Sequence, residues 1–446
     1  MPPAPAPAPA SARAPLKPLD LALAELLAQA VQLNGVESIS TFDADGRVLA
    51  EDLRSALHVP PQDNSSMDGY AMRCADVPTA GAVLSVSQRI PAGSVALPLL
   101  AGTAARIFTG AAIPAGADTV VMQEECETSP EQNGMAQIRV NALPAVGQWI
   151  RRAGEDVALG AVVLQKGDRL TPASIGLAAS IGLATLPVVR RPKVALFSTG
   201  DELVMPGDIA PENMPAGSIY NSNRFFLRAM LQRLGCEVTD LGIVPDNLDA
   251  TETALSNAAQ AHDLILTSGG VSVGEEDHIK PAVQALGELN LWQIAIKPGK
   301  PFAYGKINCP VHPEPIEGLK KASTSSARTD SCHFIGLPGN PVSSFVTFML
   351  LVRPFILKLQ GVQNVDAFTA KTIAMRADFT VAKADKRREF LRVKRNANGG
   401  LDLFANQSSG VLTSAVWGDG LVNNPAGQTI APGDMVQYTA FAEVLS

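Results

Sequence analysis

The chain reads as a multidomain α/β plus β protein: a parallel-sheet α/β domain with glycine-rich turns at its strand ends, a helical domain carrying a β-rich insert, and a barrel-like C-terminal β domain. Three observations predict this class. Short apolar strands alternate with helical segments after Pro192. Four turns follow such strands, at Ser198-Thr-Gly-Asp-Glu202, Ser268-Gly-Gly-Val-Ser-Val-Gly274, Lys297-Pro-Gly-Lys-Pro301 and Leu337-Pro-Gly-Asn-Pro341. β-type runs broken by Pro and Gly fill residues 61–149 and the chain after 366. An open α/β sheet binds its ligand beyond the carboxyl ends of its strands, so the four turns are expected to converge on one anion-binding crevice.

Composition bounds the rest. With 446 residues, 46% apolar and 18% charged, the chain divides into several domains, each able to bury a core. Lys and Arg total 36 against 43 Asp and Glu, a net charge of −7, so no global field draws nucleic acid or a membrane surface. The apolar stretch Phe345–Val352 falls well short of the ~20 residues that span a bilayer. Five scattered cysteines without a Cys-x-x-Cys pair fit a reducing compartment, the cytoplasm. Cys309, His312, Cys332 and His333 have poor spacing for zinc, because two of them are adjacent.

Along the chain, residues 1–15 read as a disordered Pro/Ala leader. Residues 16–60 and 150–190 form a discontinuous helical linking domain, whose helices at 16–33 and 170–183 are expected to pack together. Residues 61–149 are the β-rich insert, 191–365 the α/β domain and 366–446 the C-terminal β domain. Within the α/β domain, 308–331 reads as a disordered surface insertion. A long apolar helix follows Pro341, and Pro354 is expected to kink or end it.

The chemistry is carried by acids beside turns (Asp63, Asp156, Glu202, Asp246, Asp277) and by bases at Lys297, Lys300, Arg151 and Arg388. Point charges and guanidinium forks suit phosphate or an oxyanion. Carboxylates with phosphate oxygens suit Mg²⁺ best among metals, although any one acid is equally consistent with a helix or turn cap. The turn at Ser268, Gly269, Gly270 and Gly274 lacks both Walker and dinucleotide spacing and reads only as phosphate-compatible.

Several strings taken in order resemble the molybdopterin molybdenumtransferases, the MoeA family related to the gephyrin E domain, over nearly all of residues 16–446. They are Asp63-Asn-Ser-Ser-Met-Asp-Gly-Tyr-Ala71, Phe108-Thr-Gly-Ala111, Gly116-Ala-Asp118 with Val120-Val-Met-Gln-Glu124, Arg151-Arg-Ala-Gly-Glu-Asp156 and the four turns. Arg388-Glu-Phe-Leu-Arg392 and Gln407-Ser-Ser-Gly-Val-Leu412 follow.

The resemblance implies a homodimer that works with other cofactor-biosynthesis proteins and inserts molybdate into adenylylated molybdopterin with release of AMP. It implies Glu202, Asp246 and Asp277 at Mg²⁺, and Asp63, Thr109 and Asp156 on an opposite wall from the second subunit. Substrate contacts fall to Ser268, Gly269, Gly270, Gly274, Lys297, Lys300, Pro338, Pro341, Arg151, Arg388 and Ser409. Gln293 stands where some relatives carry a base. A molybdopterin adenylyltransferase or a non-catalytic scaffold are the alternatives.

Overall fold

The computed structural model describes residues 16–132, 134–271, 278–309, 331–364 and 367–445. The leader at 1–15 and nearly all of the 308–331 insertion therefore lie outside the described residues.

Helix α1 (Leu19–Gln29) buries Leu19, Ala22 and Leu26 at helical spacing. Its apolar stripe joins a core with Val194, Leu227 and Phe355 of the α/β domain. Helix α2 (Pro172–Ser180) opens with Pro172 behind the Thr171 cap, whose hydroxyl accepts the Ser174 N–H at 3.2 Å. Its Ala178 sits in a different core with Leu49, Leu186 and Val188. The two helices expected to pack together thus belong to separate cores. The linking region also has strands: Val36–Ser40 pairs antiparallel with Thr185–Val189.

The β-rich insert is one six-stranded sheet. Its strands include β1 (Gly69–Met72), β2 (Ala82–Ile90), β3 (Thr103–Ile107), β4 (Thr119–Met122) and β5 (Met135–Val140). Alternation, shifted once by an irregularity between Val86 and Gln88 of β2, serves two small cores, Ala71, Ile90, Ile107 and Val120 on one face, Met72, Leu84, Val121 and Ile138 on the other.

The α/β domain runs β6 (Lys193–Thr199), α3 (Asn223–Arg233), β7 (Glu237–Val244), α4 (Leu248–Ala259), β8 (Leu264–Ser268), α5 (Ile279–Leu286), β9 (Gly287–Gln293), β10 (Pro301–Asn308) and β11 (Ser331–Leu337). The sheet order is β7-β6-β8-β11-β10-β9. Its first four strands are parallel, as expected, but β10 is antiparallel to both neighbours. The expected parallel sheet is therefore mixed. Only residues 294–300 join β9 to β10, too few for a crossover of a dozen or more residues.

Helix α6 spans Pro341–Leu359. Pro354 does not end it. A π-helical turn over Phe348–Val352 precedes the proline, and the wider winding absorbs the missing donor and the ring's clash with the preceding turn. Among the described residues α6 alone is long and apolar enough to cross a membrane, and it is buried in the core.

Strands β12 (Ile373–Ala377), β13 (Arg388–Arg395), β14 (Gly400–Leu403), β15 (Gly420–Asn424) and β16 (Met435–Ala440) close into a five-stranded barrel, because β13 pairs with both β14 and β15. Ala377, Leu391, Val393, Val422 and Tyr438 fill its core. The expected barrel-like domain is borne out.

At the start of β11, His333 Nδ1 lies 2.9 Å from the Tyr304 hydroxyl, and its ring meets Phe355 edge-on at 5.0 Å. Burial, reinforced by Lys306, pushes its pKa down to about 4. The unfolded chain takes up this proton near pH 6.5, the folded chain only near 4, so the folded state binds fewer protons between those values. His333 should therefore leave stability intact above pH 6.5 and cost up to about 3 kcal/mol as pH falls toward 4. Denaturant midpoints at pH 7 and pH 4.5 for the wild type and His333→Gln test this; the wild type should lose more stability than the variant.

Candidate functional site

The carboxyl ends of β6, β8 and β11 open on a cavity of about 520 Å³. Glu202, Asp246, Ser268, Gly269, Gly270, Pro338 and Pro341 all line it. Backbone approach at its floor is close. Gly269 has φ +97°, and a Cβ there would stand 2.9 Å from the Thr199 carbonyl oxygen.

Two helices begin at the cavity, α3 at Ser222–Asn223 and α6 at Asn340–Pro341. The α6 start has no side-chain cap, which leaves first-turn N–H groups for a ligand, whereas at α3 Asn221 Oδ1 already accepts the Arg224 N–H at 3.3 Å. One of those on α6 is already used, by Val342 N–H to the Ser409 carbonyl at 2.9 Å. Ser409, from the C-terminal domain, thus sits beside the cavity's helix terminus.

Asn223 ties the site together. Its Nδ2 donates to the Gly339 carbonyl at 2.7 Å and to Ser268 Oγ at 3.2 Å, joining the start of α3 to the turns after β8 and β11. Its Oδ1 and the Nδ2 of Asn221 are buried without partners. Sequence reading missed both asparagines. The only local signal was the polar Asn221-Ser-Asn223 run immediately before a helix.

Glu202 and Asp246 share the cavity, whereas Gly274 and Asp277 lie outside the described residues. Among the described residues no three His, Cys, Asp or Glu side chains gather closely enough to hold a metal ion, which leaves the zinc-type grouping without support.

Asp63, Thr109, Arg151 and Asp156 meet on the β-rich insert. Asn64 pairs with Arg151 in a short ladder, and Ile113 N–H to Asp63 O (3.0 Å) with Gly110 N–H to Ser65 O (2.8 Å) brings Thr109 alongside. Arg151 and Asp156 line a second cavity of about 450 Å³ that shares no lining residue with the first. The Ala153 N–H, at 2.9 Å, does most to hold the Asp63 carboxyl below its ordinary range, with Arg152, at 2.6 Å, adding to it against the opposing effect of burial. Asp68 accepts both the backbone N–H (2.8 Å) and the hydroxyl (2.7 Å) of Thr109. Asp68 is a further residue the sequence reading did not single out, although it lies inside the quoted strings.

The remaining bases sit at the junction with the barrel. Lys297 donates to Glu389 at 2.9 Å and lies 3.4 Å from Asp385; the bond to Glu389 raises its pKa. Arg388 makes a bidentate pair with Asp20 at 3.0 and 3.1 Å. Neither lines the cavity. Lys300 follows Gly299 and precedes Pro301, which does line it. Arg392 is buried and bonds Ser414 Oγ and the Ser408 carbonyl, so it shapes the loop carrying Ser409.

An α/β domain flanked by a β-rich insert and a five-stranded barrel defines a multidomain α/β protein with a ligand crevice at its strand ends. Family comparisons follow the same division: the MoeA N-terminal region (domains I and II) matches residues 17–182, a probable molybdopterin binding domain 195–358, and the MoeA C-terminal region (domain IV) 374–441. The chain is 43% identical over 347 residues to a molybdopterin molybdenumtransferase of Haemophilus influenzae, covering 77% of this chain and 78% of that one. It is 34% identical to a protein of the same name from a Nostoc species, covering 88% and 86%. The crystal structure of a molybdopterin biosynthesis MoeA protein from Pyrococcus horikoshii matches with TM-score 0.78 and 28% identity over 96% of this chain and all of that one. The chain belongs to the MoeA family.

The Asn223 bonds give a direct test. Asn223→Ala leaves the Gly339 carbonyl and Ser268 hydroxyl without their donor and is expected to cost about 1–3 kcal/mol of stability. Chemical denaturation of the variant checks it.

Proposed function

We propose that the chain inserts molybdate into adenylylated molybdopterin, giving molybdenum cofactor, AMP and water. The observation that carries this reading is the cavity at the strand ends, built within a chain that has every flanking domain of the MoeA set.

Both substrates are anions. First-turn N–H groups of α6 and the turn at Ser268–Gly270 would hold phosphate oxygens, while Pro338 and Pro341 fix the shape of the loop between β11 and α6. Gly274 would extend the phosphate turn. Lys297 and Lys300 would neutralise the anions from the edge, Lys297 by sharing its ammonium between Glu389 and substrate. Arg388 would exchange Asp20 for substrate, and Ser409 would complete the rim.

Glu202 and Asp246 supply the hard oxygen donors that Mg²⁺ accepts alongside water and phosphate, and Asp277 would be the third by its place in the sequence. Mg²⁺ bound there would neutralise charge across the phosphoanhydride.

Asp63, Thr109, Arg151 and Asp156 would close the site from the second subunit of a homodimer. The position of Arg151 and Asp156 on a cavity separate from the α/β crevice of the same chain supports this arrangement. The enzyme would act in the cytoplasm beside other cofactor-biosynthesis proteins.

Purified protein given adenylylated molybdopterin, Mg²⁺ and molybdate should release AMP and yield active cofactor. Consumption of ATP and molybdopterin without AMP release from the adenylate would overturn the reading. Asp246→Asn should lower turnover by about 10²-fold or more without loss of fold.

The shared site has its own test. Asp63→Ala and Asp246→Ala chains, each inactive alone, should recover roughly a quarter of wild-type activity when unfolded and refolded together in equal amounts, since half the dimers are mixed and each has one intact site. No recovery places both residues in one chain's site.

A further inference from the structure

The exposed face of the β-rich insert carries an arrangement that the crevice does not use. Arg89 on β2 and Arg106 on β3 are directly paired across parallel strands. Both guanidinium groups lie 4.6 Å from the centroid of the Phe108 ring, and Arg106 is also 5.2 Å from that of Tyr70. Like charges directly opposite on a sheet repel, so a neutralising acid is expected beside them. Among the described residues, neither arginine has a carboxylate within ion-pairing distance.

Arg106 instead donates to the Gly69 carbonyl at 2.8 Å and to Gln123 Oε1 at 2.5 Å, both neutral acceptors. Of the acids near this face, Glu124 accepts from Gln123 Nε2 at 3.1 Å, and Asp68 takes both donors of Thr109 while its charge still acts on Arg106, so Arg89 is the less compensated of the two arginines. Arg89 is exposed. Two cations are thus held on one aromatic ring, each by a cation–π contact worth about 0.5–1 kcal/mol at an exposed site. Holding them in advance lowers the entropy lost when a ligand binds.

We propose that Arg89 and Arg106 form an oxyanion site on this face, taking a tetrahedral dianion of the molybdate or phosphate-monoester class. Guanidinium forks match the paired oxygens of such an anion, and the charge of Arg89, which has no carboxylate partner among the described residues, is offset when the anion is bound. The site adjoins Thr109, two residues past Phe108's neighbour Ile107 on the same stretch of chain. Under the function proposed above, it captures the anionic substrate as it approaches the wall carrying Thr109. That assignment of role rests on that reading; binding itself does not.

Isothermal titration of the full chain with sodium molybdate and, separately, with AMP tests the site without turnover. Arg89→Ala and Arg89→Glu are expected to weaken binding of at least one anion about tenfold or to remove one binding site per chain, and Arg89→Lys to restore part of it. A change for molybdate alone identifies the metal oxyanion; a change for AMP alone identifies the nucleotide phosphate. Unchanged affinity and stoichiometry for both anions in Arg89→Ala and Arg89→Glu overturns the proposal. Because these titrations need no catalysis, a failure of the molybdenum-transfer reading would leave their outcome readable.

Discussion

The burial of α6 is the constraint on which the rest of the structure depends. Val342, Val346, Leu351, Phe355 and Leu359 of this helix lie in one core with Leu19, Ala22 and Leu26 of α1, with Val194 and Leu266 of the sheet, and with Phe390, Leu421 and Phe441 of the barrel domain. Three domains therefore share one apolar interior, and none can shift without exposing the others' faces. Arg353 adds polar ties, donating to the Ala367 and Glu443 carbonyls from a largely buried position. The π turn that lets the helix continue through Pro354 keeps its C-terminal half in that core while its N-terminus stays at the cavity.

That placement explains why the crevice is built mainly from backbone. The α6 N-terminus and the Gly270 end of the turn after β8 present N–H groups, the Gly269 N–H being taken by the Leu337 carbonyl, and Asn223 fixes the spacing of these segments through two bonds. Such donors are strong where water is excluded and need no reorganisation when an anion arrives. The β-rich insert stands apart from this interior, with two small cores of its own, so its position is not set by α6. A site that closes between that insert and a crevice is suited to substrates too large for one cavity.

Much of this was legible in the residues. Strand–helix alternation gave the order of β6 to β8 with their helices, and Thr119–Met122 has the observed bounds because a short β-branched run between turns has no competing reading. The turns at Ser198, Ser268 and Leu337 were placed together because parallel strands end on one edge. What failed depended on pairing between distant segments. Nothing local in Pro301–Asn308 distinguishes an antiparallel strand from a parallel one, since both faces are buried in either case. Helix α1 shows an apolar stripe but not its partner, so its docking on α6 was hidden. Asn223 was missed for the same reason: its bonds reach Gly339, more than a hundred residues away in sequence.

The charged residues follow a different logic from the backbone donors. Lys297 and Arg388 each span a domain junction, to Glu389 and Asp20, so the bases that look free in the sequence serve as interdomain ties in the folded chain. Exposed pairs of this kind contribute at most about 1 kcal/mol, and Arg388 with its largely exposed partner Asp20 is such a pair. A polyanionic ligand offering several oxygens competes well for a base held that weakly. The Glu389 carboxylate is buried and also contacts Asn424, so Lys297 is held more firmly and leaving it would strand a buried charge. The two bases are therefore unequal: Arg388 can turn toward a ligand at small cost, whereas Lys297 moves only if Glu389 gains another partner or the ligand approaches close enough to be shared.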